Sequence, residues 1–245
     1  MQYDPIKKTV GRIFSGPVVM RKVFYLSLDL LLLRAWHVRR ALRALAREYP
    51  GEARILDAGS GFGQYSWRMS RMNRNWKIKA VDIDPEHIKS TREFFRMTGL
   101  SERVVCEKLD LTELMEEETF SFILSVDVME HIERDELVFR NFFRALKPGG
   151  TLLISTPSDM GGSDVHGEGE TSFIEEHVRN GYGIGDITRK LEGAGFRNIR
   201  TAYTYGKPGS ISWLLSMKYP IRMLNRTKLS IIVLPLYYMI TFPVA

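Results

Sequence analysis

Four acids and a histidine, each placed at or just beyond the end of an apolar run, are the residues of this chain best equipped for chemistry. Asp57 stands two residues before the turn Gly59-Ser60-Gly61-Phe62-Gly63; Asp82, Asp110 and Asp127 follow, and His131 comes soon after the last. Alternating glycines permit φ/ψ values closed to other residues and let a ligand approach the backbone with no Cβ in the way. An acid ahead of the first glycine suits a ligand that carries an ammonium or sulfonium better than one led by a pyrophosphate. Asp82 comes 19 residues after Gly63, where an acid at a strand tip accepts both hydrogens of a ribose diol. Histidine titrates near neutrality, so His131 is the leading base for a hydroxyl acceptor. At a helix start it would equally serve as a packing or capping residue.

These residues need a scaffold that brings strand ends together, and the pattern supplies one. Ala53 to Leu56 reads as a first strand, with a helix opening from Phe62; Lys77 to Val81 reads as a second strand. Asp84-Pro85 is an N-cap followed by proline at the first helical position. Val104 to Lys108 and Phe120 to Val126 give two more strands. Val138, Phe142 and Leu146 then mark a helix closed by Lys147-Pro148-Gly149-Gly150, before a fifth strand from Thr151 to Ser155. Ile187, Leu191 and Ala194 mark a short helix ending at Gly195, and Asn198 to Tyr205 reads as a sixth strand. Alternating strands and helices predict an α/β domain with a parallel sheet. The glycines run G-x-G-x-G with Gln64 next, which departs from the G-x-G-x-x-G of dinucleotide-binding turns and disfavours an NAD-dependent oxidoreductase.

Asp57-x-Gly59-x-Gly61-x-Gly63, Asp-Val-Met-Glu-His-Ile from Asp127, and Leu-Lys-Pro-Gly-Gly-Thr-Leu-Leu-Ile-Ser-Thr-Pro from Leu146 occur in that order. Together they resemble the class I S-adenosyl-L-methionine (SAM)-dependent methyltransferases, small-molecule branch, over roughly Glu52 to Phe196. The resemblance implies a Rossmann-like class I methyltransferase fold, mostly parallel, with helices on both sheet faces. It implies SAM as cofactor, held by Asp57, Gly59, Ser60, Gly61, Gly63, Gln64 and Tyr65 around the turn. Asp82 and Ile83 would take the ribose, Asp110 and Leu111 the adenine, and Asp127 the methionine end. His131 is the expected base, with His166 and His177 on the long loop 156–183 as alternatives. His166, Glu168 and Glu170 match no strong metal signature, and no metal is expected.

The flanks bear on the acceptor. From Arg21 to Glu48, Leu28, Leu31, Ala35, Val38, Leu42 and Leu45 form one helical stripe. Such a helix either packs over the sheet or the ligand site, or lies on a membrane through its apolar face. Val23 to Leu33, interrupted by Asp29 and followed by Arg34, is too short for a bilayer span and lacks a signal-peptide cleavage site. Leu229 to Ala245 carries no charge over 17 residues, but Pro235 fits a central strand badly. A hydrophobic helical cap or membrane-facing segment is therefore expected in place of a final strand. The division is 1–50 as a basic arm and helix, 51–206 as the SAM-binding core, and 207–245 as the hydrophobic C-terminal extension.

The chain has 245 residues, a single cysteine and a net charge of +6. These fit a reducing, cytoplasmic location, peripheral at the inner face of a membrane, and no motif for nucleic acid accompanies the charge. The expected activity is methyl transfer to a small, lipophilic acceptor, by O- or C-methylation. The alternative is a non-catalytic SAM- or nucleotide-binding protein, acting as a membrane-associated regulatory or assembly subunit.

Overall fold

The computed structural model describes residues 17–160, 178–179 and 181–204, with isolated residues between 214 and 241. His166, His177 and the tail read from the sequence as a hydrophobic extension fall, wholly or mostly, outside these residues. Five strands form one parallel sheet: β1 (Ala53–Ala58), β2 (Trp76–Asp82), β3 (Val104–Lys108), β4 (Phe120–Val126) and β5 (Leu146–Ser155), in the order β3-β2-β1-β4-β5. The order reverses between β1 and β4, so the crevice above their carboxyl ends is the natural ligand position in an open α/β sheet.

Side chains alternate across the sheet. On β1, Ile55 enters a core with Trp76, Phe94, Phe122 and Leu124. Leu56 and Ala58 enter the opposite core with Phe139, Phe142 and Met129. The first core is covered by α1 (Val18–Leu31), α2 (Leu33–Glu48), α3 (Gln64–Met72) and α4 (Pro85–Met97); the second by α5 (Asp135–Ala145) and α6 (Ile184–Gly193). Helices thus lie on both faces of a Rossmann-like sheet. At the start of α4, Asp84 caps as its sequence predicts, its side chain accepting the Glu86 N–H at 2.8 Å with Pro85 at the first helical position.

Three elements differ from the sequence reading. The single helix read from Arg21 to Glu48 is two, broken at Leu32, whose backbone is extended (φ −95°, ψ 112°). The apolar stripe survives one non-helical residue, so periodicity alone does not reveal the corner. Ala35, Val38, Leu42 and Leu45 are buried as that stripe predicts. Lys147 to Gly150 do not separate helix from strand: β5 begins at Leu146, pairs with Phe120, and shifts register before pairing again at Thr151. Gly149 supplies the positive φ (+77°) of that irregularity. Finally, residues 198–204 form no strand. Alternation makes a strand only where a ladder is available, and across from these residues the outer edge of β5 has no partner among the described residues.

Candidate functional site

The glycine turn joins β1 to α3, and its three glycines answer to three different constraints. All have positive φ: +75° at Gly59, +49° at Gly61 and +79° at Gly63. A Cβ on Gly59 would overlap the Val128 side chain, and one on Gly63 would lie 2.6 Å from Thr91 Cγ2. A Cβ on Gly61 would meet nothing within 4 Å. The sequence gives two reasons for these glycines, unusual φ/ψ and ligand approach; the first holds at all three. Only the outer face of Gly61 is open, while Gly59 and Gly63 are small because protein packs against them.

Asp82, at the tip of β2, faces this turn. Its Oδ2 accepts the Gly61 N–H at 2.8 Å and its Oδ1 the Asp84 N–H at 2.9 Å. His87 Nδ1 lies 3.6 Å from Oδ1, and its ring packs on Phe62. Burial alone would raise the carboxyl pKa, but the bonds from His87, Asp84 and Gly61 hold it below the usual range. Asp82 therefore stays ionised, with two anchored oxygens that keep lone pairs for further donors. Beside it Ile83 is 62% exposed, an apolar side chain left at the rim.

Asp57 lies beneath the turn, 2% exposed, and accepts the Ser66 hydroxyl at 2.5 Å. Burial raises its pKa to about 6 against the lowering effect of Ser66. A buried carboxyl held by the Ser66 hydroxyl and backbone N–H, with burial still dominant, is poised to ionise when positive charge arrives. Ser60 Oγ is buried with no hydrogen-bond partner, and the Tyr65 hydroxyl lies beside the Arg34 guanidinium. Gln64 points elsewhere: its amide donates to Asp29 of α1 at 2.9 Å.

A buried arginine fixes the turn from behind. Arg21, 1% exposed, donates to Phe62 O (2.6 Å), Thr91 Oγ1 (2.9 Å), Ser90 O (2.8 Å) and the Tyr25 hydroxyl (2.7 Å). Tyr25 also donates to Phe62 O. The helix hairpin thereby sets the backbone of the glycine turn, although α1 lies outside the α/β repeat.

On the β4 side, Asp127 has a left-handed backbone (φ 50°) and donates its N–H to Ser155 O at 2.8 Å. Such an outlier costs of order 1 kcal/mol and tends to persist at functional sites. Its carboxylate pairs with Arg34 of α2, so the hairpin closes over the strand tips. Next comes a 3₁₀ turn, Met129–His131. Glu130 is 1% exposed and accepts from Thr156 Oγ1 at 3.1 Å; burial raises its pKa. His131 is exposed, with Nε2 3.9 Å from Glu130. Asp110 ends β3 by capping the Leu111–Glu113 turn, accepting the Thr112 N–H and hydroxyl at 2.8 Å each; Leu111 is buried.

The structure thus groups Gly59, Ser60, Gly61, Asp82 and Ile83 at one side of the crevice and Asp127 at the other. Glu130, Arg34, Arg21 and His87 are additional residues that the sequence reading did not assign. Glu130 carried a signal, an acid one helical turn past a strand-tip acid. Arg34 carried none, since it reads as one of several arginines beside an apolar stripe. Among the described residues, no cluster of three or more His, Cys, Asp or Glu could hold a metal ion.

A cavity of about 1670 Å³ lies beyond Asp127, between α2, β5 and α6. Leu32, Val38, Leu152, Ile154, Leu191 and Ile199 give it an apolar wall, and Arg34, His37, Arg197 and Arg200 add basic groups. It meets the crevice at Arg34, Asp127, Ser155 and Thr156. It is larger than the roughly 300–1,000 Å³ of ordinary ligand pockets. Its near wall is the outer side of β5.

Residues 51–182 match the family described as a methyltransferase domain. Phosphoethanolamine N-methyltransferase 1 of Triticum aestivum is 31% identical over 150 residues, covering 60% of this chain and 28% of that protein. Ubiquinone biosynthesis O-methyltransferase of Xanthomonas axonopodis pv. citri is 29% identical, covering 45% of this chain and 46% of that protein. The chain thus spans less than half the length of either curated relative. Among solved structures, Haemonchus contortus phosphoethanolamine N-methyltransferase 2, in complex with S-adenosyl-L-methionine, aligns with a TM-score of 0.61 at 21% identity. That alignment covers 80% of this chain and 44% of the other, and it concerns the fold.

Proposed function

This chain belongs to the methyltransferase-domain family, and we propose that it transfers the methyl group of SAM to a small, lipophilic acceptor. The observation that carries the reading is the open cradle at Gly61, bordered by the anchored Asp82 carboxylate and facing Asp127 across the β1/β4 crevice. Orphaned Ser60 Oγ and the uncompensated Asp57 fit a ligand with both hydrogen-bonding groups and positive charge.

Bound there, SAM would supply a methyl on a sulfonium: as the acceptor nucleophile bonds to the methyl carbon, the carbon–sulfur bond breaks and the sulfur leaves as a neutral thioether. Asp82 accepts from the ribose diol with its remaining lone pairs, and Ile83 offers the apolar rim beside it. The Gly59–Gly63 segment and Tyr65 border the amino-acid end, with Asp57 balancing its charge from below. Asp110 and Leu111 define the adenine side, and Asp127 the methionine end. Alignment of donor and acceptor provides most of the acceleration in such a displacement. For a hydroxyl acceptor, His131 is the proposed proton acceptor; His166 and His177 lie outside the described residues. The apolar wall of the adjoining cavity supports a lipophilic acceptor, taken by O- or C-methylation at the inner face of a membrane. No described helix is long and apolar enough to cross that membrane.

Calorimetric titration with SAM, its demethylated product and NAD tests the cofactor; SAM is expected to bind and NAD not. Methyl incorporation into a lipid extract tests the activity, with Asp82→Ala abolishing cofactor binding and His131→Ala lowering turnover. Full turnover by His131→Ala would remove the base assignment and leave the cofactor untouched. Tight SAM binding with no methylated product from any extract would favour the non-catalytic regulatory role.

A further inference from the structure

The helix hairpin has a second face that the site does not use. On α1, Val19, Val23, Leu26 and Leu30 recur at helical spacing on one side and are 69%, 60%, 65% and 50% exposed. A row of four uncovered aliphatic side chains on one helix differs from the scattered exposed apolar residues normal on a protein surface. Asp29, which interrupts this run in the sequence, does not interrupt the face. It turns inward to pair with Arg68 and accept from Gln64. Lys22 also leaves the face, holding its ammonium 5.0 Å from the centre of the Trp67 ring. Every charge that would spoil the row is folded against α3.

The row continues into a basic one. The Trp36 indole N–H donates to Asp29 O at 2.7 Å, which holds this half-exposed ring against the last turn of α1. From Trp36, the residues one, two and three helical turns onward are Arg40, Arg43 and Arg47, all exposed and in no ion pair among the described residues. Their spacing places them with Trp36 on one side of α2. An aliphatic row, a tryptophan at its end and unpaired arginines beyond it form the composition of a helix surface that enters the headgroup region of a membrane.

We propose that the outward faces of α1 and α2 dock this protein onto an anionic phospholipid bilayer. Charge complementarity selects that occupant over a second copy of the chain, which would bring like-charged arginine rows together. The inner side of α2, at Leu33, Arg34, His37 and Val38, lines the large cavity. One hairpin would therefore face lipid outside and the acceptor cavity inside. The docking rests on the methyltransferase reading only for its purpose, since vesicle binding is measured with neither cofactor nor acceptor.

The test is co-flotation of the full chain with phosphatidylcholine vesicles, with and without one quarter phosphatidylglycerol. The anionic vesicles should bind at least about tenfold more tightly, with the difference lost in high salt. Val23→Glu with Leu26→Glu should weaken partitioning about tenfold. Arg40→Gln, Arg43→Gln and Arg47→Gln together should weaken it about a hundredfold, at roughly a factor of five for each arginine near the surface. All these residues are exposed, so thermal midpoints and SAM affinity should match the parent. If a variant unfolds, the lipid and salt dependence of the parent chain decides. No binding to anionic vesicles, or equal binding to neutral ones, overturns the proposal. So does a dimer in gel filtration that Leu26→Glu converts to monomer. Loss of SAM binding with vesicle binding intact would count against the methyltransferase reading alone.

Discussion

The two halves of the crevice are built by different means. On the β1/β2 side, position is set by backbone: a glycine turn, an amide on each Asp82 oxygen, and Arg21 and Tyr25 bonded to the Phe62 carbonyl. On the β4/β5 side, position is set by side chains reaching across elements: Arg34 to Asp127, Thr156 to Glu130, and a knot at Asp135. There Asp135 pairs with Arg179 and Lys190 and accepts the Tyr182 hydroxyl at 2.6 Å, which holds its pKa low although burial opposes that. The first half is tied together by bonds to its own backbone. The second joins a large cavity.

The sharpest way to break this comparison is at the turn. Gly59→Ala meets both a left-handed φ and the Val128 side chain. Strain of about 1–2 kcal/mol adds to overpacking of about 1–3 kcal/mol, so urea denaturation should show a loss of roughly 2–5 kcal/mol. Gly61→Ala meets only the strain and should lose about 1–2 kcal/mol, while SAM affinity falls at least tenfold. Equal stability losses at the two positions would mean that the Val128 contact is not the reason for glycine at 59.

Arg21→Met comes next. It removes the arginine donor from the Ser90 carbonyl and from the Ser90, Thr91 and Tyr25 hydroxyls, and one of two donors from the Phe62 carbonyl, a loss of about 2–4 kcal/mol. SAM affinity should fall about tenfold although Arg21 reaches the turn only from behind, at the Phe62 carbonyl. Unchanged affinity at reduced stability would show that the glycine turn holds its shape without the hairpin.

Asp57 gives a pH signature. Its folded pKa, about 6, lies above the usual 3.8. The protonated form is favoured by folding, so the contribution of this group is complete below about pH 4 and lost as pH rises through about 6. Asp57→Asn keeps a neutral partner for Ser66 at every pH. Its stability relative to the parent should rise through pH 6 by at most about 3 kcal/mol and show no gain below pH 4. SAM affinity should move the other way: the parent binds more tightly as pH rises through 6, and Asp57→Asn loses that dependence.

This division also explains what could be read from the chain. Asp57, the glycines, Asp82 and the Asp84-Pro85 helix start are local in sequence, because a turn and a strand tip need particular residues at fixed offsets. That the strands run parallel follows from apolar runs alternating with helices. Arg21, Arg34 and Arg179 were not readable as site residues, since each acts across a contact of more than forty positions. The break at Leu32 was hidden because one extended residue hardly disturbs a stripe of helical period. The sixth strand was over-read for the opposite reason, since alternation in 198–204 describes a capacity to pair, and pairing needs a neighbour.

The smallest expected effect is the most informative about how the halves meet. Arg34 and Asp127 are each about one third exposed, so their ion pair contributes no more than about 1 kcal/mol to stability. Arg34→Gln should therefore leave the urea midpoint nearly unchanged. It should also leave Asp127 without its cation, at the point where a positively charged ligand would lie. On electrostatic grounds SAM should bind two- to fivefold more tightly to Arg34→Gln, and the uncharged demethylated sulfur of the product should gain less. Calorimetry on both ligands measures that difference directly. A tenfold loss of SAM affinity would reverse the assignment, making Arg34 a support of the cofactor half and not a competitor for its charge.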